Sequence, residues 1–200
     1  MYNALEITWH RRNIATIANF FSAQECEEAI EYSLERGYGE APISTSKGMV
    51  MRKDIRNNER LMIDDSPMAK ALWERLSPFL EPACLGEKNP FLKNWTPVGL
   101  NERLRFYKYD PEQGFNWHLD GSFQRPSGEK SLYTFLIYLN DDFEGGQTSF
   151  RPQYSDAFSV QARRGSVLLF HHPILHRGDR IVSGTKFVLR SDLMFEKQLG

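Results

Sequence analysis

His118 and Asp120 stand two residues apart in Phe115-Asn-Trp-His-Leu-Asp-Gly121. On a β-strand, alternate side chains share a face, so this imidazole and this carboxylate project together. A second imidazole would complete a facial set of two His and one carboxylate, which leaves positions open on an octahedral metal, as in non-haem Fe(II) oxygenases. Zinc, manganese and nickel accept the same donors, so ligand types alone leave the metal open. In a chain with 5 His and 26 acidic residues, a lone His-x-Asp also arises by chance on solvated strand ends. His171, His172 and His176 cluster downstream as sources of the third donor, whereas His10 lies far from them and reads as a surface residue. Lys186 and Arg190, four residues apart, share a strand face; an ammonium on a mostly apolar strand needs an anionic partner or loses its charge.

The elements that must position these groups change character along the chain. Ser22-Ala-Gln-Glu25 is a capping box, followed at helical spacing by Cys26, Ala29, Ile30, Ser33 and Leu34. Gly37 is placed to end that helix in the left-handed conformation. A second helix is expected from Ser66 as cap, with Pro67 in its first turn, an apolar face of Met68, Leu72, Leu76 and Phe79, and an end near Pro78. From residue 104 onward, short strands are expected at 104–109, 115–119, 131–139, 147–150, 157–161, 166–170 and 186–195, punctuated by Asp110-Pro111, Gly145-Gly146, Arg164-Gly165 and Ser183-Gly184. This predicts a mainly β fold with N-terminal helices (α+β), its core a cupin-like jelly roll of the double-stranded β-helix kind packed by helices. One domain over 1–200 is expected, with 1–100 a helical support and 101–197 the β core.

Bulk properties narrow the function classes. The formal net charge is -1, so nothing general steers the chain to nucleic acid or to an anionic membrane. Cys26 and Cys84 lack metal or disulfide-framework spacing, and no signal-like or 18-residue apolar run is present, which together suggest a cytoplasmic protein. Oligomeric state is not legible.

Beyond the single motif, the chain resembles the prolyl 4-hydroxylase-like branch of the Fe(II)- and 2-oxoglutarate-dependent oxygenases through a series of linked segments. These are Leu104-Arg-Phe-Tyr-Lys-Tyr109 with Gly114, His118-Leu-Asp120, Thr134-Phe-Leu-Ile-Tyr-Leu-Asn140, Glu144-Gly-Gly-Gln-Thr148 with Phe150, Arg164-Gly-Ser-Val-Leu-Leu-Phe170, His176-Arg-Gly178 and Gly184-Thr-Lys186. Asn19-Phe-Phe-Ser22 resembles the family's lead-in to the catalytic core. The resemblance implies iron ligation by His118, Asp120 and His176. It selects His176 because the family places a cation about ten residues beyond this ligand, where Lys186 stands and would meet the distal carboxylate of 2-oxoglutarate. Arg190 is the rival anchor, with a surface salt bridge as its plainer reading; His171 and His172 read as a strand end and turn. Tyr109 and Tyr138 match tyrosines that line the family's pocket, or serve as core aromatics. Phe115 departs from the pattern, since many relatives carry a tyrosine there. The implied cofactors are Fe(II), 2-oxoglutarate and O2, with ascorbate as a candidate accessory reductant. The implied reaction is hydroxylation of an unactivated C–H bond with release of succinate and CO2, and the retained Asp120 favours hydroxylation over halogenation.

Substrate is the quiet part of the sequence. A prolyl or other residue of a peptide or protein, or a free amino acid, fits the resemblance. The polar segment 121–130 reads as a loop over the site, and the locally basic run 52–60 reads as a solvated face or as a receiver of an acidic group. Two other classes stay open: a cupin-like metal enzyme that does not use 2-oxoglutarate, and a catalytically silent binding domain on the same scaffold.

Overall fold

The protein is described by a computed structural model over residues 6–45, 48–80 and 92–198; Cys84 lies outside the described residues. The first half of the chain contributes β1 (Glu6–Arg11), β2 (Ile14–Ala18), α1 (Ala23–Arg36), β3 (Gly39–Glu40), β4 (Ile43–Thr45), β5 (Gly48–Val50), β6 (Glu59–Asp64), α2 (Ser66–Leu76) and β7 (Trp95–Leu100). The second half contributes β8 (Arg103–Tyr109), β9 (Phe115–His118), β10 (Lys130–Tyr138), β11 (Glu144–Gly145), β12 (Thr148–Arg151) and β13 (Phe158–Val160). It closes with β14 (Val167–His171), β15 (Leu175–Gly178), β16 (Ile181–Ser183) and β17 (Lys186–Lys197). The fold is mostly β, with two α-helices among the described residues.

Two antiparallel sheets form the roll. The larger runs β1-β2-β14-β10-β17-β8-β6-β3, and the smaller β13-β12-β15-β9. From β8 onward the chain passes back and forth between them: β8, β10, β14 and β17 belong to the large sheet, and β9, β12, β13 and β15 to the small one. The long β17 takes β8 along its first half and β7 along its second, with β10 on its other side.

The period of two explains how one sheet serves two cores. Leu104 and Phe106 of β8, Phe135 and Ile137 of β10, and Leu189 and Leu193 of β17 join one cluster, which also takes Ala29 of α1 and Ala69, Leu72 and Leu76 of α2. The alternate residues Tyr107 and Tyr109, Tyr138, Leu168 and Phe170, and Val188 join a second cluster inside the roll. With both faces covered, these strands read as nearly continuous apolar runs rather than clean alternation. Functional side chains must therefore come from the inner face.

Several local expectations are corrected. The Ser22 capping box is present, but Gly37 closes α1 at φ 77, ψ 156, positive in φ yet not left-handed helical, with its N–H on Leu34 O. The cap of α2 is Asp65, whose carboxylate accepts from Met68 N–H, so Ser66 is already helical. The first hundred residues are not only helical, because β1, β2 and β6 extend the large sheet. Among the described residues, no helix is long and apolar enough to cross a membrane.

Candidate active site

His118 ends β9, and His176 lies directly opposite it across the β9–β15 pair. Each ring holds a backbone carbonyl with Nδ1, His118 on Asn116 O at 2.7 Å and His176 on Ile174 O at 2.8 Å. A carbonyl only accepts, so Nδ1 carries the proton in both rings and both Nε2 lone pairs are left for the site. Asp120 sits just past the end of β9, its N–H on His172 O at 3.2 Å; the strand stops at His118, so the backbone turn, and not strand alternation, brings the carboxylate in. Asp120 Oδ1 is 3.8 Å from His118 Nε2, and Asp120 Oδ2 is 3.6 Å from His176 Nε2. These separations exceed a hydrogen bond and leave space for a cation among the donors. Burial, reinforced by His176, pushes the His118 pKa down to about 3, and burial also lowers that of His176. Burial works to raise Asp120, yet Arg190 and the two histidines outweigh it and hold the carboxyl well below its usual range. Two neutral imidazoles and one carboxylate are the protonation states that metal ligation requires.

Asp120 is itself held. The Thr134 hydroxyl donates to Asp120 Oδ2 and lies 3.1 Å from His172 Nδ1, while His172 Nε2 meets the Ser131 hydroxyl at 3.1 Å. One tautomer satisfies the whole chain: His172 Nδ1–H donates to Thr134, whose proton goes to the carboxylate. His172 is 2% exposed. It is thus no mere turn residue but a buried support for Asp120. His171 is half-buried against the Tyr133 ring, and His10 is half-buried on β1 beside Thr16. Neither reaches the cluster formed by His118, Asp120 and His176.

Lys186 and Arg190 both point inward from β17. Lys186 is 5% exposed, donates to Gly146 O at 2.6 Å, and lies 5.6 and 5.2 Å from the ring centres of Tyr109 and Tyr138. Burial pushes its pKa down to about 8. Gly146, at φ 64, suits its turn because a Cβ there would stand 2.5 Å from Ile181 Cδ1. The Tyr138 and Thr148 hydroxyls share a hydrogen bond at 2.7 Å, and burial raises the Tyr109 phenol to about 12. Arg190 is not on the surface: it pairs with Asp120 at 3.0 Å and Asp192 at 3.1 Å inside the roll. The cavity lined by His118, Asp120 and His176 is also lined by Lys186, Tyr109 and Arg190, so cation and ligand set face one space. Tyr138 is fully buried behind Lys186.

Three contributors escaped the sequence reading. Tyr107 lines the same cavity, Thr134 holds Asp120, and Arg56, expected on a solvated run, is 5% exposed. Tyr107 and Thr134 had a legible signal, since each is a polar-tipped residue on the inner period of an otherwise apolar strand. Arg56 had none, because its burial depends on Phe115 and Tyr107 folding over it. Phe115 stacks on the His118 ring, 3.5 Å between centroids at 12°, so it fixes the imidazole plane.

Residues 104–191 match the 2OG-Fe(II) oxygenase superfamily profile. Prolyl 4-hydroxylase 1 of Arabidopsis thaliana is 24% identical over 90% of this chain and 68% of its own length. A Pseudomonas putida prolyl-4-hydroxylase shares the fold at TM-score 0.63 and 18% identity, covering 90% of this chain and 92% of that one. A prolyl hydroxylase from Trichoplax adhaerens, solved with a hypoxia inducible factor oxygen degradation domain peptide fragment, does so at 0.66 and 17%, covering 91% and 83%. The fold is that of these solved prolyl hydroxylases, and the profile match runs from β8 into β17, the stretch that carries the donor set. Prolyl 4-hydroxylases are thus among the proteins this chain resembles over most of its length.

Proposed function

We propose that His118, Asp120 and His176 hold Fe(II), that Lys186 receives the distal carboxylate of 2-oxoglutarate, and that a peptide or amino-acid unit is hydroxylated in the groove outside them. The observation that carries this reading is the opposed pair of Nε2 atoms with Asp120 between them, facing the same cavity as an ammonium that forms no salt bridge among the described residues. Bound iron would supply oxidative decarboxylation of the co-substrate and the oxidising power for a C–H bond.

The chain's own residues do the rest. Thr134 and Arg190 fix the Asp120 carboxylate, Phe115 fixes the His118 ring, and the two backbone carbonyls fix the tautomers. Lys186, with Tyr109 and Tyr138 stacked beside it, orients the co-substrate. Exposed Met49, Met62, Leu119 and Phe123 line the outer groove and offer apolar contact to a substrate chain. The segment after Asp120 is tied back by Arg125, which bonds Glu129 and Glu102. No residue here is required as a general base. A double-stranded β-helix in a single domain, with the N-terminal elements as support, is the architecture that goes with this function.

The test is incubation of purified protein with Fe(II), 2-oxoglutarate and ascorbate against panels of prolyl peptides, other peptides and free amino acids, read by mass. A gain of one oxygen atom on one substrate class is expected. Absence of any such gain, and of succinate, sinks the reading.

A further inference from the structure

The groove outside the ligand set, about 830 Å³, carries more positive charge than its carboxylates balance. Five arginines line it, Arg56, Arg60, Arg103, Arg105 and Arg190, against Asp120 and Asp192. Arg103 is held at the exposed rim by Asp64. Arg105 and Arg190 share Asp192, and Arg190 also holds Asp120. Arg56 and Arg60 are left without an ion pair among the described residues.

Arg56 is the telling one. At 5% exposure, it gives Nε–H to Asn58 Oδ1 at 2.7 Å and lies over the Tyr107 and Phe115 rings at 4.5 and 4.7 Å. Its Nη2 has no hydrogen-bond acceptor among the described residues. A buried guanidinium without an anion is an expensive state, and a fork of N–H donors matches a carboxylate. Tyr107 responds to the same field. Burial works to raise its phenol, yet Arg190, Arg56 and Arg105 outweigh it and hold the pKa below the ordinary value.

We propose that the substrate is an amino-acid unit bearing a carboxylate that seats on Arg56 Nη2 and Arg60, the carboxylate belonging to the hydroxylated residue or its immediate neighbour. The short reach follows from one ring: Phe115 lies under Arg56 and is stacked on His118, so the anion site is a single aromatic thickness from the ligand set. Neighbouring Cα atoms are about 3.8 Å apart, so little more than one residue spans that gap. The co-substrate's distal carboxylate and the substrate's carboxylate thereby meet different cations, Lys186 and Arg56. This inference rests on the oxygenase reading and adds the substrate's charge to it.

The test is calorimetric titration of protein loaded with Mn(II) and 2-oxoglutarate, using matched acid and amide ligands. The pairs are L-proline with L-prolinamide, proline-terminated peptides as acid and amide, and blocked peptides with Glu or Gln beside proline. In at least one pair the acid is expected to bind about tenfold tighter or more, the scale of a buried charge-assisted pair. Arg56→Met and Arg60→Met are each expected to draw that ratio toward one, with Arg56→Lys keeping part of it. Should Arg56→Met fail to fold by its thermal melt, Arg60→Met on its half-buried side chain still decides. Equal binding of acid and amide in every pair overturns the proposal, as does a ratio that survives both substitutions. Loss of 2-oxoglutarate binding in Arg56→Met with an unchanged ratio assigns Arg56 to the co-substrate and overturns it too. Iron-loaded wild-type protein that makes no succinate defeats the oxygenase reading separately, because the acid-to-amide ratio is read from binding alone.

Discussion

Replacing Lys186 with Met should make the unliganded protein more stable and a poorer binder of 2-oxoglutarate. Burial drops the ammonium's pKa from 10.5 to about 8. At about 1.36 kcal/mol for each tenfold in proton affinity, the folded protein bears about 3 kcal/mol to keep that charge at neutral pH. Met fills similar space without the charge and forfeits only the 2.6 Å bond to Gly146 O, worth about 1–1.5 kcal/mol. The net gain is about 2 kcal/mol, or a Tm rise of roughly 4–8 °C for a domain of this size. The same change removes the proposed partner of the distal carboxylate, at a cost of about 2–5 kcal/mol, or roughly thirtyfold to several thousandfold in Kd. Thermal melts of apo protein and calorimetry with Mn(II) and 2-oxoglutarate read the two effects separately. A variant that melts lower and binds 2-oxoglutarate as wild type does would refute the reasoning on both counts.

Three further outcomes follow from the same site. Because the folded pKa of Lys186 lies below its unfolded value, the unfolded chain binds more protons between about pH 8 and 10.5, so apo stability rises across that window. Affinity for 2-oxoglutarate runs the opposite way, steady below about pH 8 and falling by up to about tenfold per unit above it; a pH series of titrations that stays flat to pH 9.5 contradicts the assignment. Thr134→Val cuts the link from Asp120 to His172 while preserving shape, and should weaken Mn(II) or Fe(II) binding by about 10–100-fold with the fold intact; unchanged metal affinity shows that the hydroxyl does not position the carboxylate.

How much of this was legible in the sequence depends on where the information resides. The His-x-Asp spacing, the capping box at Ser22 and the seven later strands are local patterns, and each has a counterpart in the structure. The strand bound placed at Leu119 was a residue too long, because the backbone turns after His118 to give Asp120 N–H to His172 O, which cannot be read from side-chain types. The strands β1, β2 and β6 escaped notice because their mixed burial gives no steady alternation. Arg190 was misjudged for a related reason. An arginine in sequence looks like a surface residue, and only the pairing of Leu136 with Arg190 on one side and Arg105 on the other fixes it against Asp120 and Asp192. Local periodicity names the face a side chain occupies; register decides what it meets there.

The central claim is that His118, Asp120 and His176 form an iron site coupled to 2-oxoglutarate at Lys186. Succinate formed from 2-oxoglutarate under O2 by Fe(II)-loaded protein tests it most directly, compared among wild type, Asp120→Ala and His176→Ala. Wild type should turn over even in the absence of substrate, slowly, while each variant loses metal binding and falls to the no-enzyme rate. Turnover at the wild-type rate in either variant, or none in wild type at saturating metal and co-substrate, would contradict it.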